Sequence, residues 1–219
     1  MLLGIIQARM SSTRLPGKVL KDLAGKPMLQ WVIDAAVDSK LLDGVVVATS
    51  TMASDLPIVE YCYKQKIYCT TGPLDDVLAR FYQTAVEWRA THIVRLTADC
   101  PLLTGHTIDR VVHEYLDMEN RYIINYAYLL NNVEGLDVEA FSYQRLLLAH
   151  KLATSQEERE HVTLFIRKHS NGGFSIKVDR DDVDTPFSVN TPEEFDRMEN
   201  VLSGLQSHVV KTRNGGRGI

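Results

Sequence analysis

Arg9, Arg14 and Lys18 lie close together near the start of the chain, with Ser11, Ser12, Thr13 and Gly17 between them. Three cations among small hydroxyl residues suit a polyphosphate. Guanidinium and ammonium groups neutralise its charge, and the backbone N–H groups of a small-residue loop can form a nest around one phosphate. The stretch is not GxxxxGK[ST], because Lys18 precedes Val19 and no glycine holds the first position, and it is not GxGxxG. The competing reading is a solvated basic loop. The density of small residues and the Pro16-Gly17 turn just before Lys18 weigh against it.

A second constellation is Arg95-Leu96-Thr97-Ala98-Asp99-Cys100-Pro101. A lone aspartate just past an apolar strand can hold Mg²⁺ against phosphates gathered by the first loop, since Mg²⁺ takes hard oxygen ligands. Capping of the following turn is the structural alternative for Asp99. Asp137 and Glu139 alternate on one strand, so both can point to one face and into a cleft. Cys62, Cys69 and Cys100 are odd in number and form no CxxC pair, as expected of a reduced, cytoplasmic protein. The seven histidines show no zinc-ligand spacing.

These residues need elements to position them. Leu2 to Ile6 reads as a buried strand emptying into the cationic loop. Pro27 to Lys40 carries Leu29, Val32, Ile33, Ala36 and Val37 at helical spacing. A strand follows at Gly44 to Thr49, a helix at Leu56 to Lys64 and a short strand at Ile67 to Cys69. A helix over Asp75 to Arg89 starts with two carboxylates that favour its N-terminus. His92 to Leu96 is the next strand and Thr107 to Leu116 the next helix. Alternating strands and helices imply a mostly parallel sheet covered on both faces, with ligands at the carboxyl ends of its strands. Both constellations lie at that edge. Beyond it, strands are expected at Arg121 to Tyr128, Val138 to Phe141 and Phe174 to Val178. Helices are expected at Tyr143 to Ala153, Glu157 to His169 and Pro192 to Leu205. A single domain over residues 1–205, alternating to about residue 120 and changing character after it, then leaves residues 206–219 as a mobile tail.

The 219 residues carry a net charge of −4, which argues against a general nucleic-acid surface. No apolar run approaches the roughly 20 residues of a membrane span. Met1 leads directly into the first strand without the basic segment of a secretory leader.

Together these stretches resemble the cytidylyltransferases that activate sugars as CMP derivatives, in particular the spore coat polysaccharide biosynthesis protein F family. That family is related to the enzymes acting on 3-deoxy-manno-octulosonate and acylneuraminates. The marks are Gln7-Ala8-Arg9 through Lys18, Gly25-Lys26-Pro27, Asp75 to Tyr82, Arg95 to Leu102, Gly135 to Glu139, Arg159 to Thr163 and Ser188 to Phe195. The resemblance implies a three-layer α/β/α Rossmann-like nucleotidyltransferase fold with a mostly parallel mixed sheet. It implies CTP as the nucleotide, release of pyrophosphate, and transfer of CMP to an acidic sugar or another polar acceptor in surface-glycan synthesis. Arg9, Lys18 and Asp99 would act in catalysis. Gln7, Ala8, Ser11, Arg14, Thr71, Gly72 and Thr97 would surround the nucleotide. Asp76 and Arg80 would order the wall beside the base, or else form an i,i+4 ion pair with each other. Asp99 would hold Mg²⁺, with Asn190 as a second ligand where relatives usually carry aspartate. Asp137, Glu139, Arg159 and His161 would face the acceptor. A homodimer is expected, with the apolar and aromatic stretch Tyr122 to Leu130 serving as interface or core. Use of another nucleoside triphosphate, or nucleotide binding without catalysis, are the alternatives.

Overall fold

The computed structural model describes residues 1–122, 126–129, 135–169, 174–176 and 187–214, with backbone alone at 120–122, 126–129, 174–176 and 207–214. The side chains of the Tyr122 to Leu130 stretch and residues 215–219 lie outside that description. The strands are β1 (Leu2–Gln7), β2 (Asp22–Leu23), β3 (Lys26–Pro27), β4 (Gly44–Ser50), β5 (Cys69–Gly72), β6 (His92–Thr97), β7 (Tyr126–Leu129), β8 (Val138–Ser142) and β9 (Phe174–Ile176). The helices are α1 (Met28–Asp38), α2 (Leu56–Gln65), α3 (Val77–Glu87), α4 (Gly105–Tyr122), α5 (Tyr143–Leu152), α6 (Gln156–Glu160), α7 (Leu164–His169) and α8 (Pro192–Asn214).

One sheet runs β5-β4-β1-β6-β8-β7-β9, and β2 and β3 form a separate small hairpin. The pairs β1·β4, β1·β6, β4·β5 and β7·β9 are parallel, whereas β8 runs antiparallel to both neighbours. Period-two alternation along β1 explains the layers. Leu2 and Ile6 enter a core with residues of α1, α2, α4 and α8, such as Val32, Ile58, Val111 and Met198. Leu3 and Ile5 enter the opposite core with Phe81 of α3, Leu146 of α5 and Phe165 of α7. A strand apolar on both faces needs a cover on each, and the three-layer α/β/α architecture expected above supplies it.

Because β8 is reversed, its beginning lies at the carboxyl end of β6, with Val138 opposite Leu96. Residues just before β8 therefore share an edge with those just after β1 and β6. Gly135 makes this possible. Its φ of +104° is one that L side chains rarely adopt, and an added Cβ would fall 2.0 Å from the Ser188 backbone nitrogen.

Several boundaries differ from the sequence expectation. β5 begins at Cys69 and runs to Gly72 rather than covering Ile67 to Cys69. Arg121 and Tyr122 extend α4 instead of opening a strand. The final helix continues past Leu205 to Asn214, into the residues expected as a tail, and Gln206 Nε2 donates to the Ala24 carbonyl at 3.0 Å. The helix expected over Glu157 to His169 is two helices separated at His161-Val162-Thr163.

Candidate active site

A cleft opens at the carboxyl ends of β1 and β6. Its lining includes Gln7, Ala8, Arg9, Ser12, Thr13, Arg14 and Lys18 from the first loop, Arg80 from α3, and Arg95, Thr97 and Asp99 from β6 and the turn after it. Glu160, His161 and Asn190 close the other side. The two constellations read from the sequence thus meet in one cavity. Arg14 is exposed and has no carboxylate partner among the described residues. Arg9 approaches Glu160 at 3.8 Å, both side chains being some two-fifths exposed at 44% and 40%. Such a solvated pair contributes little and yields readily to a stronger anion.

Lys18 is placed differently. It opens a single 3₁₀ turn after Gly17, and its side chain is only 9% exposed. The ammonium donates to Asp99 Oδ2 at 2.8 Å, to the Val189 carbonyl at 2.6 Å and to Asn190 Oδ1 at 3.0 Å. An ammonium has three donors, and all three are engaged. Asn190 Nδ2 in turn donates to Ser188 Oγ at 3.0 Å, which turns the amide oxygen toward Lys18. Asp99 and Asn190 therefore present two hard oxygens to one point. That donor set fits Mg²⁺, which takes few protein ligands and completes its shell with substrate phosphates and water. Among the described residues no cluster of three or more His, Cys, Asp or Glu side chains offers a fuller metal site.

Arg80 is buried beneath the cleft. Its Nη1 donates to the Pro73 carbonyl at 3.0 Å, and its Nε has no hydrogen-bond partner. Burial draws the guanidinium down to about 10, with nearby Arg9 adding to the fall and Asp55 opposing it. It remains charged at neutral pH. The i,i+4 pair with Asp76 does not form. Asp76 caps α3 by accepting from the Ala79 N–H at 2.8 Å, and its other oxygen receives Arg159 Nε at 2.9 Å together with Nη2. Asp76 and Arg159 are thus paired with each other outside the cleft lining, and hold α6 against the start of α3.

Other expected contacts also fall elsewhere. Ser11 does not line the cleft, whereas Ser12 and Thr13 do. Thr71 and Gly72 end β5 away from the lining; a Cβ on Gly72 would meet Arg80 Cγ at 3.0 Å, so the glycine lets α3 approach. Glu139 corrects the reading of two acceptor carboxylates on one strand. It is 2% exposed, and its carboxylate accepts from Arg95 Nη1, from Thr163 Oγ1 at 2.8 Å and from Arg167 Nη2 at 2.6 Å. A buried carboxylate requires such partners. Asp137 precedes β8 and keeps surface open to solvent. Its carboxyl is pushed up first by desolvation and then by Glu139 and Asp99, against the pull of Arg95. His161 does reach the cleft, because the chain leaves α6 there with φ −98° and ψ 80°.

Arg95 is a cleft residue that sequence reasoning left out of the site. It stands directly opposite Glu139 in the β6·β8 pair, and its Nε donates to Gln7 Oε1 at 3.1 Å. The signal was present: an arginine within an otherwise apolar run, Ile93 to Leu96, needs a partner. Glu160 was missed for another reason, since only the break after α6 brings it to the cleft.

A three-layer α/β fold with its cleft at the carboxyl edge of the parallel strands, lined by cations and two carboxylates, is that of a nucleotidyltransferase. The chain belongs to the cytidylyltransferase family, whose model matches residues 3–210. It is 33% identical over 173 residues to the spore coat polysaccharide biosynthesis protein SpsF of Bacillus subtilis, covering 77% of this chain and 70% of that one. It is 38% identical over 170 residues to an uncharacterized protein of Methanocaldococcus jannaschii, covering 78% and 68%. A 3-deoxy-manno-octulosonate cytidylyltransferase of Bdellovibrio bacteriovorus is 34% identical over 116 residues, 53% of this chain and 46% of that relative. A solved cytidylyltransferase from Leptospira borgpetersenii superposes with TM-score 0.85 at 25% identity, covering 100% of this chain and 98% of that one. CMP:2-keto-3-deoxy-manno-octonic acid synthetase complexed with CTP shares the fold, with TM-score 0.72 at 18% identity over 93% and 98% of the two chains.

Proposed function

We propose that this chain transfers CMP from CTP to a polar acceptor, in the class of acidic sugars, with release of pyrophosphate. The observation that carries the reading is the convergence of Arg9, Arg14, Lys18 and Asp99 on one cleft at the carboxyl edge of the sheet. An acceptor hydroxyl oxygen bonds to the α-phosphorus, its proton passing to solvent, and the bond from that phosphorus to the bridging oxygen breaks. Charge then builds on the departing pyrophosphate. Arg9 and Arg14 are positioned to neutralise it, and such chemistry rests on positioning and electrostatic stabilisation. Asp99 and Asn190 would hold Mg²⁺, which when bound supplies charge neutralisation across the phosphates. Ala8 and Thr97 line the cleft where a nucleoside would lie, and His161 faces it from the acceptor side.

The test is pyrophosphate release with CTP, UTP, GTP and ATP against a panel of 3-deoxy-octulosonate, acylneuraminate and other acidic sugars. Release with CTP and at least one acidic sugar is expected, and Lys18→Ala should abolish most of it. Release with another nucleotide only, or from CTP with none of the acceptors, overturns the reading. Asn190→Asp should lower the Mg²⁺ concentration giving half-maximal activity, and an unchanged metal dependence removes Asn190 from the ligand set.

A further inference from the structure

We infer that Lys18 is the internal counter-cation of the metal site: its ammonium occupies the point on which Asp99 and Asn190 converge, so a divalent metal enters only with a triphosphate that draws the lysine away. The inference rests on the nucleotidyltransferase reading of the cleft.

Three observations carry it. The Lys18 ammonium is bound by Asp99, Asn190 and the Val189 carbonyl, at distances of 2.6 to 3.0 Å. All its donors are used, so in this arrangement it has none for a phosphate. Asn190 is oriented for this role, since Ser188 takes its amide N–H and leaves its oxygen for the lysine. Besides Asn190, the immediate partners are one carboxylate and one backbone carbonyl, a set that a monovalent cation neutralises. A divalent ion entering alone must displace Lys18 or share the oxygens with a like charge that stays in place. A triphosphate changes that balance. It brings several anionic oxygens to the mouth of the site, beside Arg9 and Arg14, and offers the ammonium new partners. Asp99 and Asn190 are then released to the metal that accompanies the phosphates. Nucleotide and metal binding become coupled through one side chain, and by linkage each raises the affinity of the other.

The experiment is titration of Mn²⁺ into the protein, with free metal read by electron paramagnetic resonance, without nucleotide and with CTP. Wild type should bind Mn²⁺ weakly alone. Lys18→Met and Lys18→Gln should each bind it at least tenfold more tightly without nucleotide, and adding Asp99→Asn to either should remove that gain. Thermal melting checks that the variants are folded. Tight Mn²⁺ binding by nucleotide-free wild type, or no gain in folded Lys18 variants, overturns the proposal. A measurement on unaltered protein stands beside these. Acetic anhydride labelling of nucleotide-free wild type should modify Lys18 far more slowly than Lys40, whose side chain is 77% exposed. Equal rates overturn the counter-cation role of Lys18. If wild type binds no CTP under any condition, the nucleotide reading fails instead, while the nucleotide-free Mn²⁺ affinities still decide the role of Lys18.

Discussion

Arg14, in the loop after β1, and Glu139, on β8, both belong to stretches that read as functional, yet they meet opposite surroundings. Arg14 stands in the cleft without a carboxylate partner among the described residues. Glu139 is enclosed and engaged by Arg95, Thr163 and Arg167. The loop after β1 leaves Arg14 available to an anion from outside the chain. The β8 side pairs its charges internally, and these pairs fix the shape of the wall facing them. A charged residue in a motif can therefore be a contact or a brace. The feature that separates the two is whether its counter-charge belongs to the chain.

The largest effect should come from the brace. Glu139→Ala leaves two arginines beside an emptied buried site and should cost about 3–5 kcal/mol. In a chain of this length that lowers Tm by about 6–20 °C, read by calorimetry. A Tm loss of a degree or two would show that Glu139 is not a brace. Arg14→Met should do the reverse. Pyrophosphate release should fall by about 10²- to 10³-fold, with stability unchanged within about 0.5 kcal/mol. Loss of stability without loss of turnover would make Arg14 structural.

Asp76 divides the comparison more finely. Asp76→Asn keeps an oxygen for the α3 cap but removes the charge facing Arg159, and should cost about 1 kcal/mol at this partly exposed pair. Asp76→Ala loses the cap as well and should cost about 1 kcal/mol more. Equal losses would mean that the cap contributes nothing.

The smallest effect is a pH slope. His150 stacks on Tyr82 with ring centroids 4.2 Å apart. Its pKa is lowered by desolvation and then by Arg159, with Asp76 opposing. The folded state therefore binds fewer protons than the unfolded chain, so stability holds above the ordinary histidine value of 6.5 and declines as pH falls below it. Melts between pH 5 and 8 should show that slope in wild type and a shallower one in His150→Gln. Identical slopes would remove His150 from the account.

The parallel half was legible because its strands and helices announce themselves by period. β1, β4 and β6 are apolar runs, and α1 and α3 carry clean apolar stripes. The loop after β1 and Asp99 followed from that frame, since strand ends determine which loops share an edge. What stayed hidden depends on long-range pairing. The reversal of β8 set Glu139 opposite Arg95, and Asp137, just before the strand, and Glu139, within it, then had different fates. Helical periodicity continued through Val162 and Phe165, so the break that brings Glu160 and His161 to the cleft left no mark in spacing. The engagement of Lys18 was invisible for a similar reason. Its Val189 partner is a backbone carbonyl, which no residue type reports.

The Lys18–Val189 contact joins positions 171 residues apart. During synthesis the cationic loop leaves the ribosome early and must wait for residues 188–190. At elongation rates of about 5–20 residues per second that delay is on the order of ten seconds. β1, β4 and β6 can pair in that interval, but of the three partners of Lys18 only Asp99 is present until Val189 and Asn190 arrive with the segment before α8. The cleft is thus among the last parts of the chain to close, and a polypeptide stalled before residue 188 carries the cationic loop with only one of the three contacts that set its lysine.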